Sequence, residues 1–436
     1  MKSNILLMAA LGLSALAHGA TPDGTFRKTG FSFGVLPSIA FDQDAGFQYG
    51  ALTNLYWYGD GSNYPRYNHS LYLEASRCLS GATLLRANYD TRTLLPHARL
   101  RADVTWYDDV SLDFFGFNGY KAVYNADYAD EDAADYRTRV FYNHQRKMFR
   151  AMVNYGTTFR RSPHVNWQAG IVAFNMQISR VHFGRLAKSA PDVPTLYDKY
   201  VGWGILRPSE ADGGFDAYVR AGIGYDTRDS ESFPTAGVWT EALLAVAPSF
   251  FSSDANEYGK LTVYHRQYFD LHRGDLVLAY RLGWQHRLWG RTPFYLLPHW
   301  NTSVLTAATS QGLGGSKTLR GIKRHRVVAD GSVMANVELR YIFARFGVAG
   351  QQVALGTNLF ADMGLTTQEY DIDTSAVPDD ERPLYFRTSA DAPHWSGGLG
   401  LKVALNSNFV VSVDYGHAFD ERDGTSGFYV LMNYLF

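Results

Sequence analysis

The sequence predicts an all-β protein: a transmembrane antiparallel β-barrel of about 16 strands with one outer loop folded inward. Three observations predict it. The chain closes on an apolar strand, Gly427 to Phe436, that ends in an aromatic residue. Period-two alternation runs along most of the chain. Beyond the first 20 residues no stretch of 18 apolar residues occurs, so helices are not the spanning elements.

The C-terminal strand says most about location. Phe428, Val430, Met432, Tyr434 and Phe436 share one parity and therefore one face of an extended strand. In a soluble protein such a bare strand is an aggregation edge. In a bacterial outer-membrane barrel it zips against the first strand and turns that face to lipid. Tyr434 and Phe436 are thus read as a C-terminal barrel signal, and the bacterial cell outer membrane as the location.

The N-terminus agrees. Lys2 is followed by a short apolar run from Ile5 to Leu16 and then by small residues. Residues 1–20 are expected to be a secretory signal peptide, cut after residue 17 or 20. Residues 21–29 would then be a short periplasmic segment and 30–436 the barrel.

Charge is balanced, 41 basic against 42 acidic residues, which argues against a nucleic-acid partner and leaves outer-membrane lipid as the expected one. A single Cys78 excludes an internal disulfide and reads as a structural thiol.

Alternation marks segments at 30–42, 46–58, 68–78, 81–94, 98–107, 136–145, 147–160, 165–182, 215–227, 237–248, 258–269, 275–289, 332–342, 353–362, 397–405, 409–419 and 427–436. A closed single-chain bacterial barrel has an even number of strands. Merging 136–145 with 147–160, where alternation is weakest, gives sixteen. The long connections 108–135, 183–214, 290–331 and 363–396 then all fall on one side, and most short turns on the other. Short periplasmic turns and long outer loops are the expected asymmetry. Acidic clusters in those loops, Asp130-Glu131-Asp132 and Asp379-Asp380-Glu381, read as solvated faces.

Parity sorts charge from lipid. Leu276, Leu278, Tyr280, Leu282 and Trp284 oppose Arg281, Gly283, Gln285 and Arg287. In 409–419, Phe409, Val411, Val413 and Tyr415 face out while Ser412, Asp414 and Gly416 face in. A charge facing lipid costs about 2–4 kcal/mol at the midplane, so the charges belong in the lumen.

The longest loop contains a glycine-rich tip, Gly314 to Ile322, that carries Arg320. The strands after it turn Asn336, Glu338 and Arg340, then Asn358 and Asp362, inward. A guanidinium forks to carboxylates through several hydrogen bonds. The loop is therefore expected to fold into the barrel, with Arg320 and Gly321 clasped on Glu338, Asp362 or both. None of the 13 His stands in a recognisable spacing with Ser and Asp, and no zinc or phosphate-loop pattern occurs. The reading is of a protein that is not an enzyme and has no cofactor; His182, His265 and His286 read as polar groups near strand ends.

These residues carry a family resemblance. With Gly224-Tyr225-Asp226-Thr227-Arg228-Asp229 and Phe233-Pro234-Thr235-Ala236-Gly237, the chain looks like the BamA/TamA superfamily of outer-membrane barrels, the bacterial surface antigen family. That family has sixteen strands and an inward-folded sixth outer loop with a V/I-R-G-F/Y tip. Here the tip reads Leu319-Arg320-Gly321-Ile322, with Ile322 in place of the usual aromatic, which should soften docking. The family's lumenal partners of the loop arginine match Glu338 and Asp362, and its periplasmic turn motif matches Asp226, Arg228, Asp229, Pro234 and Gly237. The resemblance implies outer-membrane assembly or remodelling, by insertion or translocation of protein or lipid at the first-to-last strand seam. The family's insertases carry periplasmic POTRA domains. About ten residues separate the expected signal peptide from the first strand, so the likeness is to the POTRA-less branch. A further reading is a module that recruits a separate periplasmic or outer-membrane protein in place of the missing domains. The competing reading is a passive transport pore or surface receptor, with Arg281, Arg287 and Glu338 setting selectivity.

Overall fold

The computed structural model describes residues 19–20, 26–42, 46–64, 66–95, 97–186, 191–231, 233–303, 312–348, 351–405, 409–432 and 434–436. The expected signal peptide falls mainly on residues 1–18, outside the described residues, as do 21–25 of the short segment after it. Gly19–Ala20 and Phe26–Arg27 form a small separate antiparallel pair.

Sixteen antiparallel strands close into one barrel. In chain order they are β1 (Phe31–Asp42), β2 (Gly46–Trp57), β3 (His69–Cys78), β4 (Thr83–Thr91), β5 (Arg99–Asp113), β6 (Asn143–Phe159), β7 (Ser162–Arg180) and β8 (Gly213–Asp226). The second half is β9 (Gly237–Ala247), β10 (Tyr258–His272), β11 (Leu276–Gly290), β12 (Gly331–Val348), β13 (Gln351–Gln368), β14 (His394–Leu405), β15 (Phe409–Ala418) and β16 (Ser426–Met432). No helix among the described residues is long and apolar enough to cross a membrane. The crossing is made by strands.

Alternation explains why these segments are strands and which way they face. In β12, Val337, Leu339 and Tyr341 are 40–47% exposed, while Asn336, Glu338 and Arg340 between them are buried. The outer face is the apolar one, so this protein must be solvated by hydrocarbon there. Leu399 and Leu401 of β14, each 57% exposed, repeat the pattern opposite buried Lys402. The face of Phe409 lies outside the described side chains, but Tyr415 points out and Ser412 and Asp414 are buried as expected.

Several strand boundaries differ from the alternation: β5 runs on to Asp113, β12 to Val348 and β13 to Gln368, so part of the connections expected at 108–135 and 363–396 is strand. Residues 136–142 belong to a loop, and β6 begins only at Asn143. Phe141 and Tyr142 are drawn instead into an aromatic cluster at the outer end of the barrel. That cluster also takes Phe114, Phe117, Tyr128, Tyr200 and Tyr385 from the loops after β5, β7 and β13. It forms an apolar cap over the lumen. Edge-to-face rings such as Phe114 on Tyr200, 5.1 Å apart, add specificity to simple burial. The acidic loop faces are solvated at Asp130 to Asp132, but Glu381 accepts from Lys199 Nζ at 2.6 Å and ties two loops together.

A further difference is at the C-terminus. The last strand stops at Met432, and Tyr434 and Phe436 do not continue along β1. They turn in under the barrel, where the Arg340 guanidinium lies 4.3 Å from the Tyr434 ring and 5.0 Å from that of Phe436. Phe436 packs on Tyr268, Val277 and Ala279, and its main-chain oxygen accepts from Arg340 Nη2 at 2.9 Å. Packing of the two rings against a lumenal cation takes the place of further pairing along the free edge of β1. Phe428, 41% exposed, keeps the lipid-facing side.

Candidate functional site

The loop between β11 and β12 descends into the barrel, and its tip is braced before it meets the wall. Thr318 Oγ1 accepts from the Gly314 amide at 2.9 Å, and Gly315 donates to the Ile322 carbonyl at 2.8 Å. Leu319 and Ile322, both fully buried, pack with Leu313, Val327, Met334 and Tyr264. Ile322 thus fills its pocket without an aromatic ring.

The apolar packing delivers Arg320 to the wall with no exposure at all. Its Nε and Nη2 donate to the two oxygens of Asp362, each at 3.0 Å, and its Nη1 donates to Glu338 at 2.6 Å. The Arg320 amide adds a third bond to Asp362 at 3.0 Å. The guanidinium also lies 3.5 Å from the centre of the Phe360 ring. A planar fork meeting two carboxylates and a ring face is chemistry that Lys cannot reproduce.

The surrounding charges complete the network. Glu338 also accepts from Arg340 Nε at 2.7 Å, and Asp414 accepts from Lys402 Nζ at 2.6 Å while lying 3.7 Å from Arg320. Three cations therefore meet three carboxylates, so the buried cluster is neutral as a set. Parity had turned Asp414 and Arg340 inward, but it carries no sign of which lumenal groups meet; that depends on strand order around the barrel. A second anchor has no counterpart in the sequence motifs. Arg324 donates to Asp109 at 3.1 Å and to Asp113 at 3.0 Å, fixing the loop to β5.

The same loop reaches the seam between the first and last strands. Among the described residues this seam has two register pairs, Tyr429 with Asp42 and Val430 with Phe41. The flanking β1–β2 ladder has twelve. The first seam pair is held from inside: Ser316 Oγ donates to Asp42 Oδ2 at 2.6 Å, and the Gly321 amide donates to the Tyr429 hydroxyl at 3.0 Å. One loop tip therefore touches both strands of the seam.

The turn between β8 and β9 is braced by its own side chains. Arg228 forks onto Asp226 at 2.9 and 2.7 Å and lies 4.0 Å over the Trp239 ring. Asp229 accepts from the Thr235 and Ala236 amides at 2.9 and 3.2 Å, and Gly237 opens β9. Burial pushes the Asp229 carboxyl up, but the bonds from Thr235 and Ala236 outweigh it and hold it below the usual range. Asp229→Ala is expected to cost about 1 kcal/mol, a charged hydrogen-bond set discounted for solvent exposure. Urea unfolding of the refolded barrel measures it, and an unchanged midpoint refutes the bracing role. Pro234 is buried, and its neighbour Phe233 packs on Tyr434 with ring centres 5.1 Å apart. The turn motif and the C-terminus, read separately in the sequence, meet here.

The residues of the pore reading are engaged. Arg281 donates to Asn336 at 2.8 Å and to the Lys317 carbonyl of the loop at 3.2 Å. Arg287 lies 2.9 Å from Asp330. His265 bonds to Thr240 and Tyr280 at 2.8 and 3.1 Å. Among the described residues no group of His, Cys, Asp and Glu is placed to hold a metal ion.

Comparison with known proteins accords with this geometry. No curated protein matches the chain. Among solved structures it is similar to BamA from Haemophilus ducreyi lacking POTRA domains 1–3, with a TM-score of 0.54 and 14% identity, covering 97% of this chain and 75% of that one. It is similar also to CdiB from Escherichia coli, with a TM-score of 0.55 and 9% identity, covering 96% of this chain and 67% of that one. At such identities the likeness is one of fold. A family model, the Omp85 superfamily domain, matches residues 85–436, most of the chain, including Arg320, Glu338 and Asp362. The chain belongs to the Omp85 superfamily and is an outer-membrane β-barrel.

Proposed function

We propose that this barrel acts in outer-membrane assembly or remodelling, admitting protein or lipid through the seam between β1 and β16. The observation that carries the reading is the seam itself. Two register pairs hold it, while residues 31–40 of β1 pair only with β2 among the described residues. An unpaired strand edge is a template for another strand. The short seam is also the cheapest place to part a barrel whose other ladders are long. Its function is conformational rather than catalytic, and a separate periplasmic or outer-membrane protein supplies the client.

The plugged lumen favours this reading over a steady pore. A disulfide across the seam tests it. Phe41→Cys with Val430→Cys joins register partners, whose Cα spacing suits a disulfide. In a strain lacking the native gene, the oxidised double variant is expected to leave other outer-membrane barrels or lipid asymmetry depleted, and reductant to restore them. Full complementation by the oxidised form refutes a working seam. Large, steady ion-selective currents in planar bilayers would favour the pore instead.

A further inference from the structure

His394 begins β14 at the outer rim and is wholly buried. Its Nδ1 lies 2.7 Å from Asp423 Oδ1 and its Nε2 3.1 Å from Asp391 Oδ1. A neutral imidazole has one N–H and one lone pair. In this setting the lone pair would face a carboxylate oxygen with no proton between them. Only the imidazolium satisfies both contacts.

The groups packed around it come from four outer loops. From the loop after β5, the Tyr120 ring stacks on the imidazole at 3.9 Å, and its hydroxyl donates to Asp423 at 2.6 Å. From the loop after β11, Arg326 Nε lies 3.6 Å from Asp423, its Nη1 donates to the Gly119 carbonyl at 3.0 Å, and the Lys323 amide donates to the Asp423 carbonyl at 2.9 Å. Asp391, in the loop before β14, accepts from the Tyr120 and Thr366 amides at 2.8 and 3.0 Å. In the loop after β15, Arg422 is held by Asp420 and lies 3.8 Å over the Tyr120 ring.

Three of the neighbours are held away from neutrality. Burial pushes the Asp391 carboxyl up, but the bonds from His394, Tyr120 and Thr366 hold it below the usual range. Burial and the bond to Asp423 push the Tyr120 phenol up, so it stays protonated. The bond from Arg422 holds the Asp420 carboxyl low. The imidazole is the one group here whose ordinary titration lies between about pH 5 and 8.

We propose that His394, with Asp391 and Asp423, is a proton-controlled latch that ties the four outer loops into a closed cap and releases them on deprotonation. The two carboxylates favour the imidazolium in the closed cap over the open one. Closure is therefore fully supported at low pH and weakens as the pH rises through the imidazole titration.

Hydrogen exchange of the full barrel in lipid nanodiscs tests this, with intrinsic exchange rates divided out at each pH. Between about pH 6 and about pH 9, peptides covering 114–142 and 419–425 are expected to lose about tenfold in protection, the factor that one pH unit of linked titration supplies. Peptides from the strand centres should not change. His394→Gln, which cannot titrate, should give a flat profile. A wild-type profile without the step overturns the latch whether or not the variant folds, and so does an unchanged step in a folded His394→Gln barrel.

Discussion

Arg320→Ala is expected to release the inner loop, at a cost of about 3–5 kcal/mol, the range for breaking a buried ion pair by removing one partner. The size follows from what is left behind. Asp362 loses two side-chain donors, and Glu338 loses its 2.6 Å contact, while both carboxylates remain sealed in the wall. Asn336 Nδ2, 2.8 Å from Asp362, is the one side-chain donor among the described residues still in contact with that carboxylate. A cluster of three cations and three carboxylates becomes one with an excess negative charge. Arg320→Lys should recover only part of the loss. An ammonium cannot fork to Asp362 and Glu338 together or lie flat on Phe360. Two readouts follow: a smaller folded, heat-modifiable fraction in outer membranes, and protease cleavage within 291–330. Wild-type folding together with an intact loop would refute the clasp.

The fold was legible in the chain because lipid imposes a rule that local sequence can carry. Every second residue must be apolar, and every charge must sit on the other parity. Val337, Leu339 and Tyr341 against Asn336, Glu338 and Arg340 show that rule without any knowledge of tertiary structure. The convergence of Arg320 on Glu338 and Asp362 was legible as well, since all three lie within one loop and the two strands that follow it. Less local features escaped. The role of Asp414 depends on β15 lying two strands beyond β13 around the barrel. The aromatic cap draws on loops far apart in the chain, where no periodicity exists to be read. The C-terminus misled for a physical reason: parity continues through Tyr434 and Phe436, but pairing with β1 stops at Val430, and Arg340 offers their rings a partner inside.

Gly416→Val should produce the same loop release as Arg320→Ala by a different physical route, which makes the pair informative. Gly416 lies inward on β15, directly against the loop tip. A Cβ placed on it would stand 2.6 Å from the Arg320 carbonyl carbon and 2.7 Å from the Gly321 nitrogen. The approach is mutual, since a Cβ on Gly321 would stand 2.6 Å from the Gly416 carbonyl carbon. Gly321 also has φ +95°, a conformation closed to most L-residues, so substitution there mixes clash with strain. Gly416 has an extended backbone, where Val is at home. The variant therefore keeps a sound strand while denying the tip its seat. Overpacking typically costs about 1–3 kcal/mol, and more where, as here, the obstacle is backbone that cannot rotate aside. Displacing the tip also breaks the Gly321 bond to Tyr429 and draws Ser316 away from Asp42, so the seam loses its inner brace. The expected result is a folded barrel with a protease-sensitive loop and slower disulfide formation between probe cysteines at 41 and 430, which a parted seam holds further apart. Gly416→Ala should give a smaller effect of the same kind. A protected loop in Gly416→Val would mean that the tip docks without this backbone contact. A released loop with no change at the seam would separate the clasp from the gate and leave the two register pairs to hold the barrel shut alone.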